Sequence, residues 1–219
     1  MKKVFMPLLA LVIALGFVIA LVTPALAAQG DHYKGLFKGL GGEASWSIYD
    51  EDTGVFTDIG FHAINELYRF PPRGREATQY VYIWISQYRY DADEYVPLRD
   101  VYCYGPLLPE SLVVNLSLKS ASLTASGLEG WQYDYATETE TVVTIDINVS
   151  CSATGQMSHH NSNSHYRYPN GFFNIHSSGK SREAIALGEV VVDGASTILE
   201  TLGSAYIFSA KEGWVEVYR

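Results

Sequence analysis

Lysine and arginine are scarce in this sequence. The 219 residues contain 15 Lys and Arg against 24 Asp and Glu, which gives a formal net charge of −9. The basic residues form no run or cluster along the chain. Contacts to phosphates depend on such residues, so we expect no nucleic-acid partner. Attraction to an anionic membrane surface is disfavoured for the same reason.

Catalytic and cofactor signatures are missing as well. The sequence contains no Gly-x-Ser-x-Gly, no P-loop and no dinucleotide fingerprint. Asp52-Thr53-Gly54 spells the aspartic-protease triplet, but it occurs once and falls in a predicted hairpin tip. We therefore expect no catalytic residue and no cofactor.

Cysteine is limited to Cys103 and Cys151. Cys151 ends the alternation of Val143, Ile145, Ile147 and Val149, and Cys103 shares a face with Val101, so both side chains are predicted to face the core. If the two strands are neighbours in an oxidising compartment, the pair can form a disulfide. Two buried free thiols are the alternative, because sequence does not give the separation of the Cα atoms.

The N-terminus has the features of an export signal. Lys2 and Lys3 precede an apolar run over residues 4–22, and Ala25-Leu26-Ala27 gives the small-x-small pattern of a cleavage site. We predict a cleaved signal peptide over residues 1–27 and a flexible, Gly-rich leader over 28–42. An uncleaved anchor is the alternative, because the 19-residue run approaches the length that spans a bilayer. Cleavage removes two Lys and no acid, so the net charge falls from −9 to about −11.

Beyond residue 43 the apolar pattern has a period of two, and no segment shows a capped helical pattern. Short strands bounded by Gly, Pro, Asn and Asp follow one another along the chain. This pattern predicts a single all-β domain over residues 43–219. We expect a two-sheet antiparallel β-sandwich, and a jelly roll is one topology that fits the pattern.

An aromatic stripe is the strongest candidate site. On the predicted strand 78–90, one parity carries Tyr82, Trp84 and Tyr88, together with Tyr80 and Tyr90. The other parity carries Val81, Ile83 and Ile85, which are expected to face the core. Exposed Tyr and Trp rings can stack on the apolar faces of sugars. Stabilisation of the sheet through cross-strand ring pairs is the alternative interpretation.

Four histidines lie within residues 159–176, a density that suggests a metal site. The hairpin signal Pro169-Asn170-Gly171 makes a three-residue loop the expected connection. In that register His165 faces Ile175 and His176 faces Ser164, on opposite faces of the hairpin. We therefore predict no metal site.

Acidic loops are a further candidate. Residues 50–54 and 91–94 group carboxylates, which are the ligands that calcium prefers. The first loop lacks the later ligands of an EF-hand. Turn chemistry explains Asp and Gly at these positions without a metal.

Four segments, 163–176, 182–190, 44–57 and 85–88, resemble a group of exported bacterial β-sandwich proteins that have no assigned activity. They include the runs Ser164-His165-Tyr166 and Ser86-Gln87-Tyr88. The resemblance implies export and a β-rich fold. It carries over no functional residue, no ligand and no cofactor.

Three functions fit these features. The first is an exported, non-catalytic binding module whose ligand is a carbohydrate or another surface ligand, held by Tyr82, Trp84 and Tyr88. The second is a structural or self-associating extracellular protein without a small ligand. The third and least favoured is a hydrolase on a lectin-like sandwich.

Overall fold

The computed structural model describes residues 32–70, 74–200 and 204–218. Within them the chain forms ten strands: β1 His32–Asp50, β2 Val55–Phe70, β3 Gly74–Asp91, β4 Glu94–Pro106, β5 Leu112–Val114, β6 Ser120–Asp134, β7 Thr139–Tyr168, β8 Gly171–Val192, β9 Ala195–Leu199 and β10 Ser204–Tyr218. The all-β prediction is confirmed. The signal peptide predicted for residues 1–27 lies outside the described residues.

All ten strands belong to one antiparallel sheet, in the order β10-β1-β2-β3-β4-β6-β7-β8-β9. The sheet closes on itself, because β10 pairs with β1 on one side and with β8 on the other. β5 pairs with β6 outside this path. The antiparallel part of the prediction is confirmed, whereas the division into two separate sheets is not.

The core lies inside the closed sheet. Val81, Ile83 and Ile85 of β3 are buried, and they pack with buried residues such as Val101 on β4 and Ile145 on β7. The alternation of the sequence placed the β3 residues on the core side, and this prediction is confirmed. Burial of these aliphatic side chains removes apolar surface from water and stabilises the closed sheet.

The first strand begins earlier than expected. Residues 32–42, predicted as part of a flexible leader, form the first half of β1 and pair with both β10 and β2. Gly35, Gly39, Gly41 and Gly42 suggested a linker, but in the structure the first three leave room for neighbouring rings and Gly42 lies against Ala121. Within the described residues, no helix has the length and apolar character to cross a membrane.

Three glycines lie beneath aromatic rings of the neighbouring strand. A Cβ atom at Gly60 would overlap the indole of its partner Trp84, and Gly35 and Gly41 are covered by Trp214 and Phe208 in the same way. Such rings cover backbone that a glycine leaves exposed. This packing explains why glycine occurs inside long strands, where it usually weakens a sheet.

Six strands continue beyond the closed part of the sheet, in the order β3-β2-β1-β10-β8-β7. We call this part the extension. It comprises residues 34–40 of β1, 65–69 of β2, 75–79 of β3, 157–167 of β7, 172–182 of β8 and 209–217 of β10.

Candidate functional site

Tyr82 and Trp84 are brought together on the outer face of β3. Their rings stack with centroids 5.6 Å apart. Tyr82 is exposed, and Trp84 is partly exposed with its indole over Gly60. Trp84 therefore has both a structural contact and an accessible surface.

The register adds rings from two other strands. Trp84 pairs with Tyr102 on β4, and Tyr102 pairs with Trp131 on β6, so the three side chains form one row on the outer face. Tyr104 lies opposite Tyr82 in the next row. The exposed fractions are 41% for Tyr82, 39% for Tyr102, 69% for Tyr104 and 42% for Trp131. We call these four residues and Trp84 the aromatic face.

Sequence reasoning did not assign Tyr102, Tyr104 or Trp131 to this site. Trp131, Tyr133 and Tyr135 repeat the aromatic pattern on a shorter segment, but the sequence leaves open whether that segment lies beside β3. Only the register shows that these rings lie beside Trp84.

A shallow cleft adjoins the aromatic face where β4 and β6 separate. Their ladder covers only Arg99 to Tyr102 of β4. Beyond it, the cleft is lined by Tyr102, Tyr104, Trp131 and Glu129, with Gly105 and Gly127 opening its walls. Aromatic rings, a carboxylate and strand backbone therefore border one open groove.

The hydroxyl of Tyr102 donates a hydrogen bond to the Glu140 carboxylate. That bond, more than burial, raises the pKa of Tyr102. The ring is thereby anchored on β7 while its face remains partly exposed.

Tyr88 belongs to a different cluster. Its ring stacks on Phe56 at 5.4 Å and packs against Tyr95 at 5.0 Å, and its hydroxyl donates to Oδ2 of Asp58 at 3.1 Å. Burial, followed by the charge of Asp58, raises the pKa of Tyr88 to about 12. Tyr88 thus packs against its own neighbours, as the cross-strand alternative proposed, and does not join Tyr82 and Trp84.

A buried carboxylate lies near the aromatic face. Glu66 is 6% exposed and accepts a hydrogen bond of 2.7 Å from the Tyr80 hydroxyl. Burial and the neighbouring Glu66 both raise the pKa of Tyr80 and of Tyr68. The ring of Tyr80 also contacts Tyr104 at 5.5 Å. Glu66 therefore fixes the Tyr80 hydroxyl by a hydrogen bond and supports the edge of the aromatic face.

Cys103 and Cys151 are buried as predicted, but both are free thiols. Cys103 lies on β4 and Cys151 on β7, and β6 runs between these strands. Two strand spacings of about 4.8 Å exceed the Cα separation that a disulfide spans. Burial raises the pKa of both thiols, that of Cys151 to about 11.

The predicted hairpin register at Pro169-Asn170-Gly171 is wrong by one residue. Tyr168 pairs with Gly171 through a two-residue turn, so His165 lies opposite Asn174 and His176 opposite Asn163. A slip of one residue moves side chains to the other face, and both histidines therefore share one face. In each pair, the imidazole Nδ1 donates a hydrogen bond to the Oδ1 atom of the Asn partner. With Gly213, these four side chains border a shallow pocket.

Turn chemistry accounts for the first acidic loop. Asp50 accepts hydrogen bonds from the Asp52 N–H at 3.0 Å and from the Thr53 hydroxyl at 2.6 Å. The bond from Thr53, followed by that from Asp52, lowers the pKa of Asp50. The Asp134 carboxylate is occupied in the same way by the β6–β7 turn. Acidic residues therefore collect at the turns that end the closed part of the sheet.

Basic residues collect on one face of the extension. Directly paired residues share a face, and the register assigns eight Lys and Arg to the face that continues from the core. They are Lys34, Lys38, Arg69, Arg75, Arg167, Lys180, Arg182 and Lys211. We call this surface the basic face. The sequence shows no basic cluster, whereas the fold makes one.

No acidic residue of the extension occupies the basic face. Glu66, Glu76, Glu212 and Glu216 all have the opposite parity, and that parity carries no Lys or Arg within the extension. Among the residues that the structure describes, none of the eight cations forms a salt bridge. The two faces of the extension are thus fully segregated by charge.

Within the described ranges, no group of three His, Cys, Asp or Glu residues is arranged to hold a metal ion. The sequence matches no protein-family model and no curated protein.

Proposed function

We propose that the protein is an exported, non-catalytic module that binds a carbohydrate on the aromatic face. The observation that supports this most directly is the row of Trp84, Tyr102 and Trp131, with accessible rings beside an open cleft. Rings of this kind stack on the apolar faces of sugars. Glu129 and the strand backbone of the cleft offer hydrogen bonds to sugar hydroxyls.

The original candidate set changes in composition. Tyr82 and Trp84 remain in the proposed site, whereas Tyr88 is replaced by Tyr102, Tyr104 and Trp131. Tyr88 is excluded from the site because its ring stacks on Phe56 in the neighbouring cluster.

Titration of neutral polysaccharides tests the proposal. After a glycan array identifies a ligand, we expect Trp131→Ala to weaken binding about tenfold, since a stacked ring contributes on the order of 1 kcal/mol or more. Tyr166→Ala is the matched control, because Tyr166 is also an exposed ring but lies in the extension. Trp84→Ala serves as a second variant, with its stability checked because the indole covers Gly60. If Trp131→Ala and Trp84→Ala both bind as the wild type does, the proposal fails.

We further propose that residues 1–27 direct export and are cleaved. Lys2, Lys3 and the Ala-Leu-Ala site support this interpretation over an anchor. Mass spectrometry of the purified protein measures the N-terminus directly. A chain that begins near Ala28 agrees with the proposal, and an intact Met1 contradicts it.

We propose that the closed sheet is flattened, so that its two walls pack against each other as in a sandwich. Its opposite walls meet across the interior, where β1 contacts both β5 and β6. A Cβ atom at Gly42 would lie 3.6 Å from the Cβ of Ala121. This close approach supports a sandwich-like shape, as the sequence predicts.

Self-association without a small ligand is the second candidate. Leu108, Val113 and Leu116 are exposed around β5, and such apolar groups can serve as contacts between copies. Sedimentation of the purified protein separates this candidate from the first. A stable oligomer that dissociates in Leu116→Ser favours it, and a monomer excludes it.

A further inference from the structure

The basic face combines an unusual charge pattern with a broad surface. Six strands at about 4.8 Å spacing give it a width of roughly 24 Å. Lys38 lies directly opposite Lys211, and Arg69 lies directly opposite Arg75. Like charges in such positions destabilise a sheet. No acid on this face relieves the repulsion within the described part of the chain.

An anionic ligand would remove this repulsion. From the charge complementarity and the chemistry between the cations, we propose that the basic face binds an acidic polysaccharide. This site is separate from the aromatic face and does not depend on the proposed function, because the two lie on opposite faces of the sheet and on different strand segments.

The neutral groups between the cations favour a polymer rich in hydroxyls. The shallow pocket on this face is bordered by the amides of Asn163 and Asn174, the imidazoles of His165 and His176, and the backbone of Gly213. Amides and imidazoles exchange hydrogen bonds with hydroxyls in both directions. Lys34 adjoins the pocket through its partner Val215.

The same face has few of the groups that hold single-stranded nucleic acids or membranes. Single-stranded nucleic acids are held by stacking on aromatic rings. In the extension, Phe172 is the only Phe, Tyr or Trp that the register assigns to this face within the described residues. None of the exposed large apolar residues lies on it, and its aliphatic side chains such as Leu36 and Leu67 are half-buried, so it offers little to insert into a lipid bilayer. An acidic glycan fits the composition better than a single-stranded nucleic acid or a membrane.

Binding of polygalacturonate to the purified protein at low salt tests the assignment. Lys38→Gln with Lys211→Gln removes one directly opposed pair, and Arg89→Gln with Lys119→Gln removes the same charge elsewhere. We expect the first variant to weaken polygalacturonate binding about tenfold and to reduce its salt dependence, as in other polyelectrolyte complexes. The second variant should remain within about twofold of the wild type.

The first variant is expected to fold, because it removes a repulsion. If it does not, Lys34→Gln with Lys180→Gln replaces it, and the same loss of binding is expected. Neutral glycan binding, if present, should be unchanged in both lysine variants, and this separates failure at the basic face from failure at the aromatic face.

Three results would overturn the proposal. The first is unchanged polygalacturonate binding in the lysine variants. The second is tighter binding to poly(A) RNA or to vesicles containing phosphatidylglycerol than to polygalacturonate. The third is salt-sensitive self-association that requires Lys38 and Lys211 in a protein that does not bind polygalacturonate. In that case the acidic turns of a second copy occupy the face.

Discussion

The closed part of the sheet and the extension are built from the same strands, but they place opposite chemistry on the same face. On β1 the core-side residues are Ala44 and Trp46 in the closed part, and Lys34 and Lys38 in the extension. On β8 the corresponding pairs are Ala184 with Ala186, and Lys180 with Arg182. Closure by β4 and β6 shields the first face from water, and the extension lacks these two strands.

The burial pattern changes phase within single strands. On β2, Phe61 and Ala63 are buried on the core side, whereas Ile64 and Glu66 are buried on the opposite side. The change on β1 occurs beside it, since Gly41 pairs with Ile64 and Gly42 with Ala63. A strand can therefore exchange its apolar face without a bulge when the surrounding sheet changes from closed to open. Alternation reports local burial, not a fixed side of the whole sheet.

The largest expected effect contrasts apolar and basic positions on that face. Ile145→Ala in the closed part should lower the free energy of unfolding by about 2–5 kcal/mol, because it leaves a cavity among fully buried side chains. Lys38→Ala in the extension should change it by no more than about 0.5 kcal/mol, since Lys38 is exposed. Urea denaturation measures both values. Equal losses would mean that the extension has a core of its own on this face.

A smaller effect is expected at the glycines beneath rings. Gly60→Ala should destabilise the protein by about 1–3 kcal/mol, because the added Cβ overlaps the Trp84 indole and forces it to move. Gly105→Ala is the control, since its Cβ would have no neighbour within 4 Å. Thermal unfolding of the two variants distinguishes the effect of ring packing from the low strand propensity of alanine. Similar midpoints would show that Trp84 adapts without cost.

The smallest effect concerns the repulsion on the basic face. Lys211→Glu converts the Lys38–Lys211 pair into an attractive one, so it should stabilise the fold by about 0.2–1 kcal/mol. The gain should shrink as salt is added. Lys119→Glu is the matched control at an exposed position outside the extension. An unchanged stability in Lys211→Glu at low salt would show that the two ammonium groups do not interact.

Local patterns in the sequence predicted the local structure well. The period of two identified the all-β class, although the strands are longer than expected, and it placed Val81, Ile83 and Cys151 on the core side, as the structure has them. It also separated these residues from Tyr82 on the outer face. Such predictions depend on neighbouring residues of one strand, which share a backbone geometry.

Pairing between distant strands was not predictable in the same way. Closure by β10, the row of Trp84, Tyr102 and Trp131, and the gathering of eight cations all depend on register across the sheet. The hairpin loop was predicted one residue too long, and this error alone placed His165 and His176 on opposite faces. The free state of the thiols was unpredictable for the same reason, because the sequence does not show that β6 separates Cys103 from Cys151.

The pairing of β1 with β10 also determines when folding can finish. Hairpins such as β1–β2 and β7–β8 connect residues close in the chain and can form early. The contact of Ala44 with Ala205 joins segments separated by most of the chain, so it must wait until β10 has been synthesised. Sheets dominated by such distant pairings fold slowly, on the order of milliseconds to seconds. During that interval β1 and β8 each present an unpaired edge, so the chain is most prone to aggregation just before closure.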